Sequence, residues 1–215
     1  MVILEIDENI SFDKCCFLTD YVSVRRRKKI NRFCFEKDKL LSLFAGLLVR
    51  FCVMKKYNIP NSSIEFEIGT HGKPFLADRN EYNFSVSHSG RCIAFAESDF
   101  PVGIDIEQIR DFDADIAKRY FSENERKHIE NSSDFNKAFA EIWTSKEAYI
   151  KMTGDGLTVP LDSFCTVLGI PNYYFMHEKF SDCMVSVCLH ESHRNEKTEI
   201  MNCYEIIDFF RRLKE

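Results

Sequence analysis

The chain has 215 residues, is 45% apolar with 20 phenylalanines, and carries a formal net charge of −5. This length and composition suit one large domain or two small ones with a substantial core. The first residues lack the basic start and apolar run of a signal peptide, and no apolar stretch reaches the roughly 20 residues that span a bilayer. We therefore expect a soluble, cytoplasmic protein, and the nine cysteines, odd in number and irregularly spaced, predict reduced thiols.

The first half of the chain combines strand-like and helical patterns. Apolar side chains recur at helical spacing from about Asp38 to Tyr57, which predicts a long helix with one core face. Short alternations of apolar and polar residues, separated by turn residues, predict strands that pair antiparallel. In chain order we expect a strand near 2–6, a basic helical segment near 20–32, the long helix, and strands near 64–68, 83–87, 92–97 and 102–107.

The second half becomes helical after Arg110. Ser122-Glu-Asn-Glu has the pattern of a capping box, and a second long helix is predicted from Phe135 to Met152, ended by Gly154. Strands near 163–168 and 183–190 and a short terminal helix complete the chain. Because groups of strands and helices are segregated, the predicted fold class is α+β rather than a parallel doubly wound sheet.

Two acidic residues on one predicted strand form the first part of a candidate metal site. Asp105 and Glu107 stand two residues apart, so both point to one face of the strand, about 7 Å apart along the chain. One cation can lie between two such carboxylates. Alternation of this kind is also common on ordinary surface strands, so the interpretation depends on the helix that follows.

The segment Trp143-Thr-Ser-Lys-Glu-Ala-Tyr-Ile-Lys supplies that helix. Glu147 offers a third oxygen ligand, and Lys151 falls four residues later on the same helical face, where both can contact one phosphate group. Magnesium prefers carboxylate oxygens together with substrate phosphates. The combination predicts magnesium-dependent phosphate chemistry, and an exposed salt bridge is the alternative for this pair.

Two further segments indicate a phosphate ligand. Phe84-Ser-Val-Ser-His-Ser-Gly places hydroxyls around His88, although serine and glycine are also ordinary turn residues. The run from Arg25 to Arg32 contains six cations in eight positions, which is typical of an anion-binding patch or of a solvated helix face. Their occurrence in one chain with the three carboxylates favours phosphate binding.

Together these segments resemble the 4′-phosphopantetheinyl transferases, of the longer, pseudo-dimeric type that activates peptide synthetases and many fatty-acid or polyketide carrier proteins. The pair Gly103-Ile-Asp-Ile-Glu and Trp143-Thr-Ser-Lys-Glu-Ala, in this order and separation, is specific to that family. The resemblance implies two similar subdomains, residues 1–101 and 102–215, related by a pseudo-two-fold. Each would be a small antiparallel sheet packed with a long helix, and coenzyme A would bind between them.

The resemblance also implies a role for individual residues. Asp105, Glu107 and Glu147 would bind magnesium, or manganese in its place. Glu147 would take the proton of the attacking serine, with His88 as the competing base, and Lys151 would offset charge on the departing adenosine 3′,5′-bisphosphate. The residues expected to bind coenzyme A are Arg26, Lys29, Ser42, Lys73, Ser87, His88 and Lys151.

The predicted reaction transfers the phosphopantetheine arm of coenzyme A to a serine of an apo acyl or peptidyl carrier protein. We expect a monomer with no nucleic-acid partner and no membrane contact. Two other classes stay open on the residues alone. A magnesium-dependent nuclease or other phosphodiesterase would use the same carboxylates and basic run, whereas a basic interaction module would leave the three carboxylates without a role.

Overall fold

The structure, a computed structural model, describes residues 1–79, 81–192 and 197–213. The strands are β1 (Val2–Glu5), β2 (Phe66–Ile68), β3 (Pro74–Leu76), β4 (Asn83–Ser89), β5 (Cys92–Ser98), β6 (Gly103–Gln108), β7 (Tyr173–Phe180), β8 (Cys183–His190) and β9 (Glu199–Asn202). The α-helices are α1 (Phe12–Cys15), α2 (Val24–Arg32), α3 (Glu36–Tyr57), α4 (Ala114–Tyr120), α5 (Glu123–Glu130), α6 (Phe135–Thr153) and α7 (Cys203–Arg212).

The first layer is a four-stranded sheet, in the order β4-β5-β1-β9, covered by α3. Phe44 and Leu47 of α3 share a hydrophobic core with Phe95 of β5. Strand β4 pairs antiparallel with β5, as predicted, and β5 also pairs antiparallel with β1, but β9 pairs with β1 in parallel. The prediction that strand 102–107 is the next antiparallel neighbour is wrong, because β6 pairs with β8 in a different sheet. Because α7 also packs on α3, the end of the chain returns to the first layer and crosses the predicted boundary at residue 101.

The second layer is an antiparallel sheet, in the order β6-β8-β7, covered by α6. The helix approaches β6 unusually closely at Gly103. A Cβ atom on Gly103 would overlap the carbonyl oxygen of Ala148 and the amide nitrogen of Met152, so only glycine allows this approach. The close approach brings the C-terminal turns of α6 alongside Asp105.

The two larger sheets, each packed with a long helix, agree with the predicted α+β class, and β2 and β3 form a separate two-stranded antiparallel sheet. The predicted long helices, the terminal helix and the capping box of Ser122 and Glu125 are also confirmed. The prediction of a strand near 163–168 is wrong, because the third strand of the second sheet is β7, which begins only at Tyr173. Instead of pairing with a strand, the carbonyls of Leu161 and Phe164 accept hydrogen bonds from Lys146, 2.6 and 2.8 Å away.

None of the nine cysteines forms a disulfide, in agreement with the prediction of reduced thiols. Among the residues that the structure describes, no helix is both long and apolar enough to cross a membrane.

Candidate active site

Strands β4 and β6 lie side by side, and serine side chains join them. Ser85 Oγ accepts a hydrogen bond from the backbone amide of Ile104, and Ser89 Oγ accepts one from Gln108, each at 3.1 Å. These serines alternate along β4 and therefore share one face of the strand. Hydroxyls that the sequence associated with phosphate oxygens thus connect the two layers.

Ser87, between these two serines, contacts the predicted metal and phosphate residues. Its Oγ donates to Asp105 Oδ1 at 2.7 Å, and the Lys151 Nζ donates to the same Oδ1 at 2.5 Å and to Ser87 Oγ at 2.9 Å. On the same strand as Asp105, Glu107 accepts a hydrogen bond from Ser89 Oγ at 2.8 Å. The structure therefore brings Ser87, Asp105 and Lys151, three of the predicted site residues, into direct contact.

Glu147 completes a group of three neighbouring carboxylates. Burial raises the pKa of Glu147, and the charges of Asp105 and Glu107 raise it further. The pKa of Glu107 is raised by burial and also by Asp105. Proximity of like charges is thus part of the cause in both cases.

The chemistry of these carboxylates, as oxygen donors with like charges, suits a cation. Asp105 is 4% exposed, and its Oδ2 is buried without a hydrogen-bond partner, while Oδ1 is bound by Lys151 and Ser87. Within residues 1–79, 81–192 and 197–213, no three His, Cys, Asp or Glu side chains are already arranged to hold a metal ion. Three oxygen donors with mutually unfavourable charges nevertheless match the ligand preference of Mg²⁺.

A cleft runs from these carboxylates toward α2 as two adjoining cavities of about 270 and 410 Å³. Gly72, Pro74, Phe84 and Val86 line both of them. The first cavity is also lined by Lys73, Glu147 and Lys151, and the second by Arg25, Arg26, Lys29, Arg50 and His88. Glu147 is thus the carboxylate that lines the first cavity, beside two lysines, and the second cavity is basic.

Lys73, in the turn between β2 and β3, contacts the second layer. Its Nζ donates to the carbonyls of Val102, at 3.1 Å, and of Lys151, at 2.5 Å. Burial lowers the pKa of Lys73 to about 8. This lysine therefore holds a positive charge at the cleft that is easily lost above neutral pH.

The basic end contains three of the predicted coenzyme residues. The pKa of His88 is lowered by partial loss of hydration and then by the cations Lys29, Lys151 and Arg26. Arg26 Nη1 donates to the carbonyl of Ser42 at 3.1 Å. The side chain of Ser42 does not reach the cleft surface. It is 1% exposed with its Oγ unpartnered.

Two charged residues take positions that the sequence did not indicate. Arg50 lines the basic cavity, and burial, with a smaller effect of Arg26, lowers its pKa to about 10. Its guanidinium donates to Asn61 and to the carbonyl of Ile64. In the sequence, the only indication of this role is that Arg50 is a charged residue within the apolar pattern of α3. Lys146 turns away from the site into the core.

A cation-lined cleft next to three carboxylates and a lysine is typical of enzymes that act on phosphate groups. Residues 101–198 match the 4′-phosphopantetheinyl transferase superfamily, and residues 10–99 match the N-terminal region of 4′-phosphopantetheinyl transferases.

Individual relatives agree with these matches. The chain is 34% identical to 4′-phosphopantetheinyl transferase ffp of Bacillus subtilis, over 87% of this chain and 80% of that protein. It is 34% identical to 4′-phosphopantetheinyl transferase Sfp of Bacillus subtilis, over 80% of this chain and 73% of that protein. For 4′-phosphopantetheinyl transferase psf-1 of Bacillus pumilus the identity is 32%, over 88% of each chain.

The chain therefore belongs to the 4′-phosphopantetheinyl transferase family. It is an enzyme that transfers the phosphopantetheine arm to carrier proteins, and coenzyme A is the substrate of this family. Family membership favours this function over the nuclease considered from the sequence.

Proposed function

We propose that the enzyme transfers the arm of coenzyme A to a serine of an apo acyl or peptidyl carrier protein, in a magnesium-dependent reaction within the cleft between its two layers. The observation that carries the proposal is the contact of Lys151 with both Asp105 Oδ1 and Ser87 Oγ, beside Glu147. It gathers acidic and basic groups at one end of a cleft whose other end is cationic.

Asp105, Glu107 and Glu147 would hold the metal ion. The unpartnered Oδ2 of Asp105 and the raised pKa values of both glutamates support this assignment. A bound Mg²⁺ supplies Lewis-acid polarisation of the phosphoryl oxygens. Ser87 and Lys151 hold Asp105 Oδ1 in a fixed position, and Ser89 does the same for Glu107 Oε2.

The proton of the attacking serine hydroxyl goes to Glu147 in this proposal. Burial and neighbouring carboxylates raise the pKa of Glu147, which makes its carboxylate a stronger base. His88, whose lowered pKa leaves a neutral imidazole near pH 7, is the competing base. Lys151 offsets negative charge on the departing adenosine 3′,5′-bisphosphate.

The cations of the cleft would bind the phosphates of coenzyme A. Lys73 and Lys151 line the same cavity as Glu147 and would contact the pyrophosphate, with Ser87 beside them. Arg26, Lys29 and His88 line the basic cavity and would contact the 3′-phosphate. A buried Ser42 would act there only through its carbonyl, which orients Arg26.

The finer architecture belongs to the same proposal. A pseudo-two-fold would relate the subdomains 1–101 and 102–215, with β9 and α7 as an extension that packs on the first. We further propose a cytoplasmic monomer without a nucleic-acid or membrane partner, active with Mg²⁺ or Mn²⁺.

Mass spectrometry of a carrier protein tests the proposal. Purified enzyme is incubated with apo carrier, coenzyme A and MgCl₂, and the carrier should gain the mass of phosphopantetheine while adenosine 3′,5′-bisphosphate accumulates. EDTA should stop the reaction, and Mg²⁺ or Mn²⁺ should restore it. Full transfer in EDTA would disprove the metal assignment, and an unmodified carrier across a broad panel would disprove the transfer.

A further inference from the structure

Arg26 passes directly over Gly46 on its way to the cleft. A Cβ atom on Gly46 would lie 3.0 Å from Arg26 Nε and closer still to Arg26 Cδ. The next contact, Val22 Cγ1, would be 3.3 Å away. Since real Cβ atoms are not found so near another side chain, any larger residue at position 46 would force Arg26 to move.

Glycine at this position needs a local reason. Gly46 lies within the 22-residue helix α3, where alanine is intrinsically more favourable than glycine. Its neighbours in the helix are apolar core residues. Because its backbone has no special conformation, the space it leaves for Arg26 is the physical reason for its presence.

The path over Gly46 gives Arg26 a fixed position in the basic cavity. One terminal nitrogen is bound to the Ser42 carbonyl, one turn before Gly46 on α3. Burial alone lowers the pKa of Arg26, since no carboxylate among the described residues offsets its charge. The guanidinium is thus held by the protein backbone and left uncompensated for an anion.

The cavity that Arg26 lines is separate from the first cavity of the cleft. It is lined by Lys29, Arg50 and His88 and by no Asp or Glu side chain. Glu147, where the reaction is proposed to occur, lines the other cavity. A phosphate bound in the basic cavity would not be the one attacked. In coenzyme A that group is the 3′-phosphate of the ribose.

We infer that Gly46 is a positioning residue that sets the guanidinium of Arg26 against the 3′-phosphate, and that it thereby makes the enzyme prefer coenzyme A over 3′-dephospho-coenzyme A. The inference rests on the proposed function. It concerns a helix residue that lines the basic cavity without a side chain of its own, and its effect on the substrate passes through Arg26.

Steady-state kinetics with the two coenzymes test the inference. Gly46→Ala should raise KM for coenzyme A about tenfold, the loss of one hydrogen bond to a charged group. It should leave KM for dephospho-coenzyme A within about twofold, and kcat unchanged with both, because the reacting groups are not displaced. The inference would be overturned if KM changed by the same factor for both coenzymes, so that the ratio of the two KM values stayed as in the wild type.

A double-mutant cycle and a matched control complete the test. Arg26→Ala should lose the preference by itself, and adding Gly46→Ala should then have no further effect. Gly69→Ala, whose Cβ would meet only ordinary contact at 3.4 Å, should behave as wild type. If Gly46→Ala does not fold, the double variant should fold, because the side chain that the added Cβ would meet is gone. A double variant that also does not fold would overturn the inference. Wild-type enzyme inactive with both coenzymes would instead disprove the proposed function.

Discussion

Lys146 and Glu125 form an ion pair, 2.7 Å long, between two side chains that are completely buried. Glu125 also accepts hydrogen bonds from the amide and hydroxyl of Thr166, at 2.8 and 2.9 Å. The pair therefore ties α5 and the segment 161–166 to α6. Since Lys146 precedes Glu147 in sequence, anchoring it in the core directs Glu147 to the cleft.

Removing one partner of this pair should destabilise the protein strongly. Lys146→Met leaves the carboxylate of Glu125 buried without its cationic partner. The free energy of unfolding, measured by urea denaturation, should therefore fall by about 3–5 kcal/mol. The matched control is Lys127→Met, which breaks an exposed pair with Glu123 and should leave the urea midpoint close to that of the wild type. Similar losses in the two variants would contradict a structural role for Lys146.

Glu147→Gln separates the two candidates for the general base. The amide cannot accept the serine proton, so turnover should fall about 100- to 10,000-fold. Binding of coenzyme A, measured by calorimetry, should change little. His88→Gln should instead affect mainly coenzyme affinity. If Glu147→Gln turns over at the wild-type rate while His88→Gln is inactive, His88 is the base.

Lys73 should make coenzyme affinity depend on pH. Its pKa of about 8 means that the free enzyme loses this charge as the pH rises through that value. A phosphate favours the charged form, so the dissociation constant of coenzyme A should be level on the acid side and then rise by up to about tenfold per pH unit.

A guanidinium at the same position provides the control for that titration. Lys73→Arg stays charged throughout, so its affinity should not show the rise above pH 8. The same rise in both proteins would assign the pH dependence to another group.

Gly103→Ala should disrupt the contact between α6 and β6. The added Cβ would overlap backbone atoms of Ala148 and Met152, which cannot move without separating helix and strand. We expect a loss of about 3 kcal/mol or more in unfolding free energy, or no soluble protein. Gly69→Ala, in ordinary contact only, should unfold at nearly the wild-type urea concentration. A wild-type stability of Gly103→Ala would show that the two elements are not so close.

Local patterns were enough to predict most of the elements, because periodicity and capping depend on nearby residues. The parallel pairing of β9 with β1 was not predictable, since it joins residues about 200 positions apart. The spacing of four residues placed Lys151 on the same helical face as Glu147, but the sequence did not show that Lys146 is fully buried. Both lie on one helix, and only the packing of α5 decides which lysine is enclosed.

The serines that join β4 to β6 make the active site sensitive to strand register. Side chains alternate along a strand, so a slip of one residue would bring Val86 and His88 to the seam in place of serines. Such a slip would leave the amides of Ile104 and Gln108 without their serine acceptors and Asp105 without its hydroxyl partner. Assembly of the proposed metal-binding carboxylates is therefore coupled to correct docking of the two layers during folding.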